Sequence, residues 1–245
     1  NQTSTLIANF LNEHDYYDKK NLSHILDSYH RECIHIALFK YCKDDDIVIT
    51  SDLDEIPNFD IIKNVKNNEI HSPVRLIQHE FKYFLNCYAN SNWEGSLICP
   101  YKYLKKESLN NFRKCSNYSL LLSNGGYHFT SIGNIKTIQH KIESWAHQEF
   151  NHPLIIKNIE KNINFGKDIF YRFKKEDHEV INLKNNNILD KRILEIIKTY
   201  DHLIIKSIKK SYIFELKYKI TQIIFYLIRA RKNPVKVIKK ILNKL

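Results

Sequence analysis

The sequence predicts an α/β fold of one main domain, residues 1–205, followed by a basic amphipathic helical tail, residues 206–245. Three observations carry that prediction. Short β-branched runs alternate with stretches of helical periodicity, which sets an α/β body apart from a sandwich or a bundle. A length of 245 residues with 43% hydrophobic and 12% aromatic content is enough to bury a full core. The third observation is the placement of charge. Twelve of the 38 Lys and Arg, but only Glu215 among the 27 acids, lie between Lys206 and Leu245, leaving 26 of each in the body. The tail therefore holds the whole net charge of +11. Phosphate binding needs a basic face, so no nucleic-acid partner is expected for the balanced body.

Each element follows from local pattern. From Ser23 to Tyr41, the residues Ile25, Leu26, Tyr29, Cys33, Ile36 and Ala37 recur at helical intervals and predict one helix. Asp44, Asp45 and Asp46 close a turn, and Ile47-Val48-Ile49-Thr50 reads as a strand buried on both faces. Asn58 stands where it caps a short helix through Ile61, Ile62 and Val65. Strands are expected over 74–85 and 95–100. Gly125-Gly126 punctuates the chain before a strand at Tyr127-His128-Phe129, and Ile135 to Gln148 predicts a helix with Ile138, Ile142, Trp145 and Ala146 turned inward.

In the tail, Ile213, Leu216, Ile220, Ile223, Ile224, Leu227 and Ile228 recur at helical spacing between Lys217, Lys219, Arg229, Arg231 and Lys232. The charges break every apolar run well short of the ~20 residues a spanning helix needs. The segment is expected to lie on an anionic membrane surface, with Pro234 separating a second short basic helix. On that expectation a chain ending near Lys206 stays soluble and active. An alternative packs the apolar face on the body and leaves the lysines in water.

The five cysteines, Cys33, Cys42, Cys87, Cys99 and Cys115, are odd in number and widely spaced, which favours buried thiols over a disulfide scaffold or zinc site. The sequons at Asn1, Asn21 and Asn117 weigh little in so Asn-rich a chain. The expected location is cytoplasmic, peripheral on the inner face of a membrane, with the Golgi lumen as the alternative in a eukaryote. The chain contains no Met and is expected to begin inside a longer product.

Two segments concentrate chemistry. The strand Ile47–Thr50 runs into Ser51-Asp52-Leu53-Asp54-Glu55-Ile56-Pro57. In an extended chain residues two apart share a side, so Asp52 and Asp54 can meet at one point, where hard oxygen ligands suit Mn²⁺ or Mg²⁺. A solvated acidic turn is the plain alternative. The second segment joins Gly126-Tyr127-His128 to a helix on which His140, Ser144 and His147 share a face and Glu143 lies one turn from His147. This is not the His-Glu-x-x-His zinc arrangement.

Together these segments resemble glycosyltransferase family 17. The family's apolar strand and acidic Asp-x-Asp-Glu-Ile-Pro run appear as Ile47 to Asn58. Its Gly-Trp-His appears as Gly126-Tyr127-His128, its Lys-x-x-Ser as Lys141 and Ser144, and its following acid as Glu149. Asn111-Phe112-Arg113 and Arg31 match further arginine positions, and the likeness covers about Tyr29 to Phe170. The resemblance implies a GT-A-like nucleotide-sugar-binding fold and a metal-dependent inverting transfer of a sugar, GlcNAc first, from a UDP-sugar such as UDP-GlcNAc to a glycan acceptor. Family members begin with a donor-site strand that this chain is expected to lack. Asp52 and Asp54 are then the metal ligands. Glu149, Glu55 and His128 are the candidates for the base, and Arg31, Trp93, Arg113, Lys141, Ser144 and His147 for substrate binding. Each has a plainer alternative: Glu55 as a brace of the turn, Trp93 as a core aromatic, and Arg113 and Lys141 as surface charges. A catalytically inactive glycan-binding or scaffold protein of the same fold is the alternative function. A metal-dependent phosphatase or nuclease is a further rival, but it needs more converging carboxylates than the downstream motifs offer.

Overall fold

A computed structural model describes residues 22–65, 72–105, 108–114, 120–173 and 178–232. Cys115, the stretch before residue 22 on which the expected lack of a donor-site strand bears, and the second basic helix expected beyond Pro234 lie outside them. The chain is α/β, as expected. The described residues form one sheet of β1 (Ile47–Thr50), β2 (Glu55–Pro57), β3 (Val74–Lys82), β4 (Cys87–Pro100), β5 (Leu120–Leu122), β6 (Gly126–Thr130) and β7 (Glu179–Val180). The main strand order is β1-β4-β3-β6-β2, with β5 added beside β3 and β7 beside β4. β3 is parallel to β5 and β6; the other pairs among the described residues are antiparallel.

Helices cover the sheet: α1 (Leu22–Glu32), α2 (Ile34–Tyr41), α3 (Phe59–Val65), α4 (Tyr101–Leu104), α5 (Leu109–Lys114), α6 (Ile135–Ser144), α7 (Pro153–Asn164), α8 (Lys191–Lys198) and α9 (Tyr212–Lys232). The largest core cluster joins Ile138 and Ile142 of α6, Ile155, Ile159 and Ile163 of α7, and Phe214, Tyr218 and Phe225 of α9. The aromatic side of α9 therefore packs on the body, whereas most of the Ile and Leu face that the alternative for the tail placed there is exposed. No helix among the described residues is long and apolar enough to cross a membrane.

Four local expectations change. Among the described residues β1 pairs only with β4, and Val48 is buried while Ile47 and Ile49 are more than a third exposed, so it is not a strand buried on both faces. The first helix divides into α1 and α2 at Cys33, where Ile36 N–H bonds the Cys33 carbonyl at 3.1 Å in a tighter three-residue step. The strand expected over 95–100 begins already at Cys87. Finally, α6 stops at Ser144 instead of running to Gln148. The Gln148 amide donates to the carbonyls of Trp145 at 2.7 Å and Glu143 at 3.1 Å, supplying partners for the unpaired end of the helix. Asn58 does cap α3, its side chain accepting from Asp60 N–H at 2.8 Å. Cys87 and Cys99 are buried, and burial pushes both thiols up to about 12.

Candidate active site

The acidic motif is built as a turn. Glu55 N–H bonds the Asp52 carbonyl at 3.0 Å, which closes the loop between β1 and β2 and leaves Leu53 fully exposed at its tip. The aspartates thus flank a turn and do not alternate along an extended strand. β2 is held in place by β6, where Glu55 pairs with His128 and Pro57 with Gly126. Gly126 has φ +122, and a side chain there would collide with the Ile56 carbonyl, so only glycine lets the two strands close beside the turn.

Glu55 is the turn's internal brace. Its side chain is 0% exposed. It accepts from Trp93 Nε1 at 2.7 Å, Arg113 Nη2 at 2.8 Å, Ser96 Oγ at 3.0 Å and Asp52 N–H at 3.2 Å. Burial opposes its ionisation, but the Arg113 charge and the Trp93 hydrogen bond outweigh that and hold it below the usual carboxylate range. With both oxygens occupied, Glu55 braces the turn and has no acceptor site left for a substrate proton. Trp93 is fixed at the same time, and it stacks on His128 with ring centroids 4.4 Å apart.

The two aspartates point outward and are partly exposed. Arg113 pairs with Asp52, and Arg31 Nη2 stands 3.9 Å from the same carboxylate. Burial nevertheless raises Asp52, the arginines only partly offsetting it. Asp54 takes Lys141 Nζ at 3.0 Å and lies 3.5 Å from His128 Nε2. Burial alone would raise Asp54, but the His128 hydrogen bond and the Lys141 charge drive it far below the carboxylate range. Three permanent cations therefore surround two outward carboxylates.

Those cations are themselves positioned. Arg31 Nη1 donates to Asn110 Oδ1 at 2.9 Å. Glu32 accepts from Leu109 N–H at 3.2 Å and Asn110 N–H at 3.0 Å, tying the start of α5 to α1. Buried Arg75 donates to the carbonyls of Phe112 and Arg113, fixing the other end of α5. Neither Glu32 nor Arg75 was singled out from sequence. A charge amid apolar neighbours was the available signal for Arg75, Glu32 offered none, and the partners of both lie far along the chain.

Beyond Trp93 and His128 opens a cleft of about 600 Å³, walled by Trp145, Phe150, Phe170 and Tyr226 and bordered by Glu80, Lys82, His147, Glu149, Arg172 and Arg229. Glu80 and Lys82 form a buried pair at 3.3 Å, and His128 Nδ1, 3.8 Å from Glu80, has no hydrogen-bond partner. Because α6 ends early, His147 is not on its face; it pairs with Glu149 at 3.0 Å, while Glu143 takes Gln139 at 2.8 Å. Ser144 gives its hydroxyl to the His140 carbonyl at 2.7 Å and does not border the cleft. His24, His147 and Glu149 each bring one donor atom within 4.8 Å of the others, and Arg229 stands 3.9 Å from the same carboxylate. Burial opposes ionisation of Glu149, and the His147 hydrogen bond and the Arg229 charge lower it regardless.

The sequence model of glycosyltransferase family 17 matches residues 5–214. The chain belongs to glycosyltransferase family 17. This match takes in every site residue above except Tyr226 and Arg229, and extends past both ends of the Tyr29–Phe170 likeness. No curated protein matches the chain, and no solved structure does. Membership of family 17 makes the chain a glycosyltransferase and gives the cluster of turn and cleft a transferase context.

Arg113 holds two carboxylates of the turn at once, so its loss is costly. Arg113→Ala strands the buried Glu55 charge and is expected to cost about 3–5 kcal/mol of stability at neutral pH. In the wild type Glu55 is depressed, so its contribution is present above the ordinary carboxylate range and fades as pH falls through the lowered value. In the variant Glu55 protonates more readily, and the gap between the proteins narrows on acidification. Urea unfolding at neutral and mildly acid pH checks this; a gap that widens in acid counts against the brace.

Proposed function

We propose that this family 17 chain is a metal-dependent inverting enzyme of GT-A type. It moves a sugar, GlcNAc first, from a UDP-sugar to a glycan acceptor at an anionic membrane surface facing the cytoplasm. The observation that carries the reading is the pair Asp52 and Asp54, presented on a braced turn among Arg31, Arg113 and Lys141, beside an aromatic cleft. Oxygen-only donors at the turn fit Mn²⁺ or Mg²⁺, and the surrounding cations fit a diphosphate. A divalent ion held by Asp54, with Asp52 direct or through water, would neutralise charge on the departing diphosphate.

The chain's own groups supply the rest. Arg113 and Lys141 sit where they stabilise the same growing negative charge. The aromatic walls of the cleft and the fixed Trp93 offer apolar faces on which sugar rings stack. Glu149, kept ionised on the border of the cleft, takes the proton of the acceptor hydroxyl. That oxygen bonds the anomeric carbon as the bond to the diphosphate breaks, and the electron pair leaves with the nucleotide. Buried His128 serves the site by holding Asp54 and packing on Trp93.

The testing experiment is hydrolysis of UDP-GlcNAc and other UDP-sugars with and without Mn²⁺, which needs no acceptor. Metal-dependent hydrolysis is expected; binding of glycans with no turnover of any donor would instead favour the inactive glycan-binding alternative. Glu149→Gln should lower kcat by ~10²–10⁴-fold with little change in donor KM, because a base acts in the chemical step. Parallel loss of donor affinity would make Glu149 a donor-site residue.

A further inference from the structure

Helix α9 is apolar on two sides. Phe214, Tyr218 and Phe225 are buried in the main core. On the far side Ile213, Leu216, Ile220, Ile223, Ile224 and Leu227 are 47–67% exposed. Their spacing places all six in one stripe of roughly 100° along the helix. Lys217 and Lys219 fall at its two edges, and the only acid of the helix, Glu215, is paired with Lys167. The helix holds five Lys and Arg against this one acid, a net +4 of the chain's +11.

We infer that the outer face of α9 docks on an anionic lipid bilayer, with the six apolar side chains in the interface and the flanking lysines on lipid headgroups. The same helix contributes Tyr226 and Arg229 to the cleft. Docking therefore sets the cleft about one helix diameter, roughly 10 Å, from the lipid surface. That placement rests on the cleft being the site of transfer; the docking itself does not. An apolar stripe between cations matches an amphipathic helix lying in the plane of an anionic membrane. A second copy of the chain is a poorer occupant, because lysines beside the seam of a helix pair would face like charges. Nucleic acid would leave the stripe without a partner.

The test is flotation of the full chain with vesicles of phosphatidylserine and phosphatidylcholine, against phosphatidylcholine alone. Wild type is expected to float at least tenfold more with the anionic vesicles, and less in high salt. Ile220→Asp/Leu227→Asp changes only exposed positions, so the melting temperature should hold while the bound fraction falls about tenfold. Lys217→Gln/Lys219→Gln should remove the preference for anionic lipid. Docking is overturned if wild type fails to float, if the double Asp variant floats equally, or if that variant only converts a dimer to a monomer. UDP-sugar hydrolysis measured without vesicles separates the two claims. Flotation without hydrolysis overturns the metal-dependent transfer reading and leaves docking, and hydrolysis without flotation overturns docking and the membrane location while leaving that transfer reading.

Discussion

Asp54→Asn removes metal-dependent donor hydrolysis by ~10²–10³-fold or more and leaves the fold intact. Asp54 is partly exposed at the turn, so the protein loses little packing with it. Its carboxylate carries no part of the brace, which belongs to Glu55 through Trp93, Ser96 and Arg113. Asp52→Asn should act in the same direction, less completely, because Arg113 keeps its second partner in Glu55. Hydrolysis measured across a series of Mn²⁺ concentrations, together with circular dichroism, reads both effects. Full activity in Asp54→Asn at every concentration would remove the turn from the mechanism.

Phe225→Ala is expected to cost about 3–5 kcal/mol, the range for a buried aromatic cut to a methyl. Phe225 is 1% exposed and lies against Phe150, Tyr171 and His152. For the same reason a chain ending near Lys206 should not stay soluble and active, contrary to the sequence-based expectation. Such a chain loses Phe214, Tyr218 and Phe225 from the core, and Tyr226 and Arg229 from the cleft. Urea unfolding of the substitution and the solubility of the shortened chain test this. A truncated chain with the melting temperature of the intact one would show that α9 only rests on the body.

The motif Asp52-Leu53-Asp54-Glu55 was legible because residue type and adjacency survive in sequence, as does the cap at Asn58. The family was legible because several motifs recur in a fixed order. Side-chain partnership was not. Asp52, Asp54 and Glu55 have similar local contexts, yet one is fully buried by Trp93 and Ser96, which lie on β4. Periodicity placed Ile138 and Ile142 inward correctly but missed the end of α6, where a glutamine amide four residues beyond the helix donates to the carbonyls of Glu143 and Trp145. In α9 the period found an apolar helix without revealing which side meets the body, since Phe214, Tyr218 and Phe225 are as apolar as the stripe opposite.

Glu149 is approached from both ends of the described chain, by His24 of α1 at 3.8 Å and by Arg229 of α9 at 3.9 Å. Proteins are made from the N-terminus, and domains fold as their residues become available. The nascent chain thus presents the braced turn, Trp93 and Glu149 well before α9 exists to wall the cleft. During synthesis the acidic turn thus precedes the wall that α9 gives the cleft. The helix that walls the cleft also carries the outer stripe, so completing the cleft and presenting the stripe belong to the same step of folding.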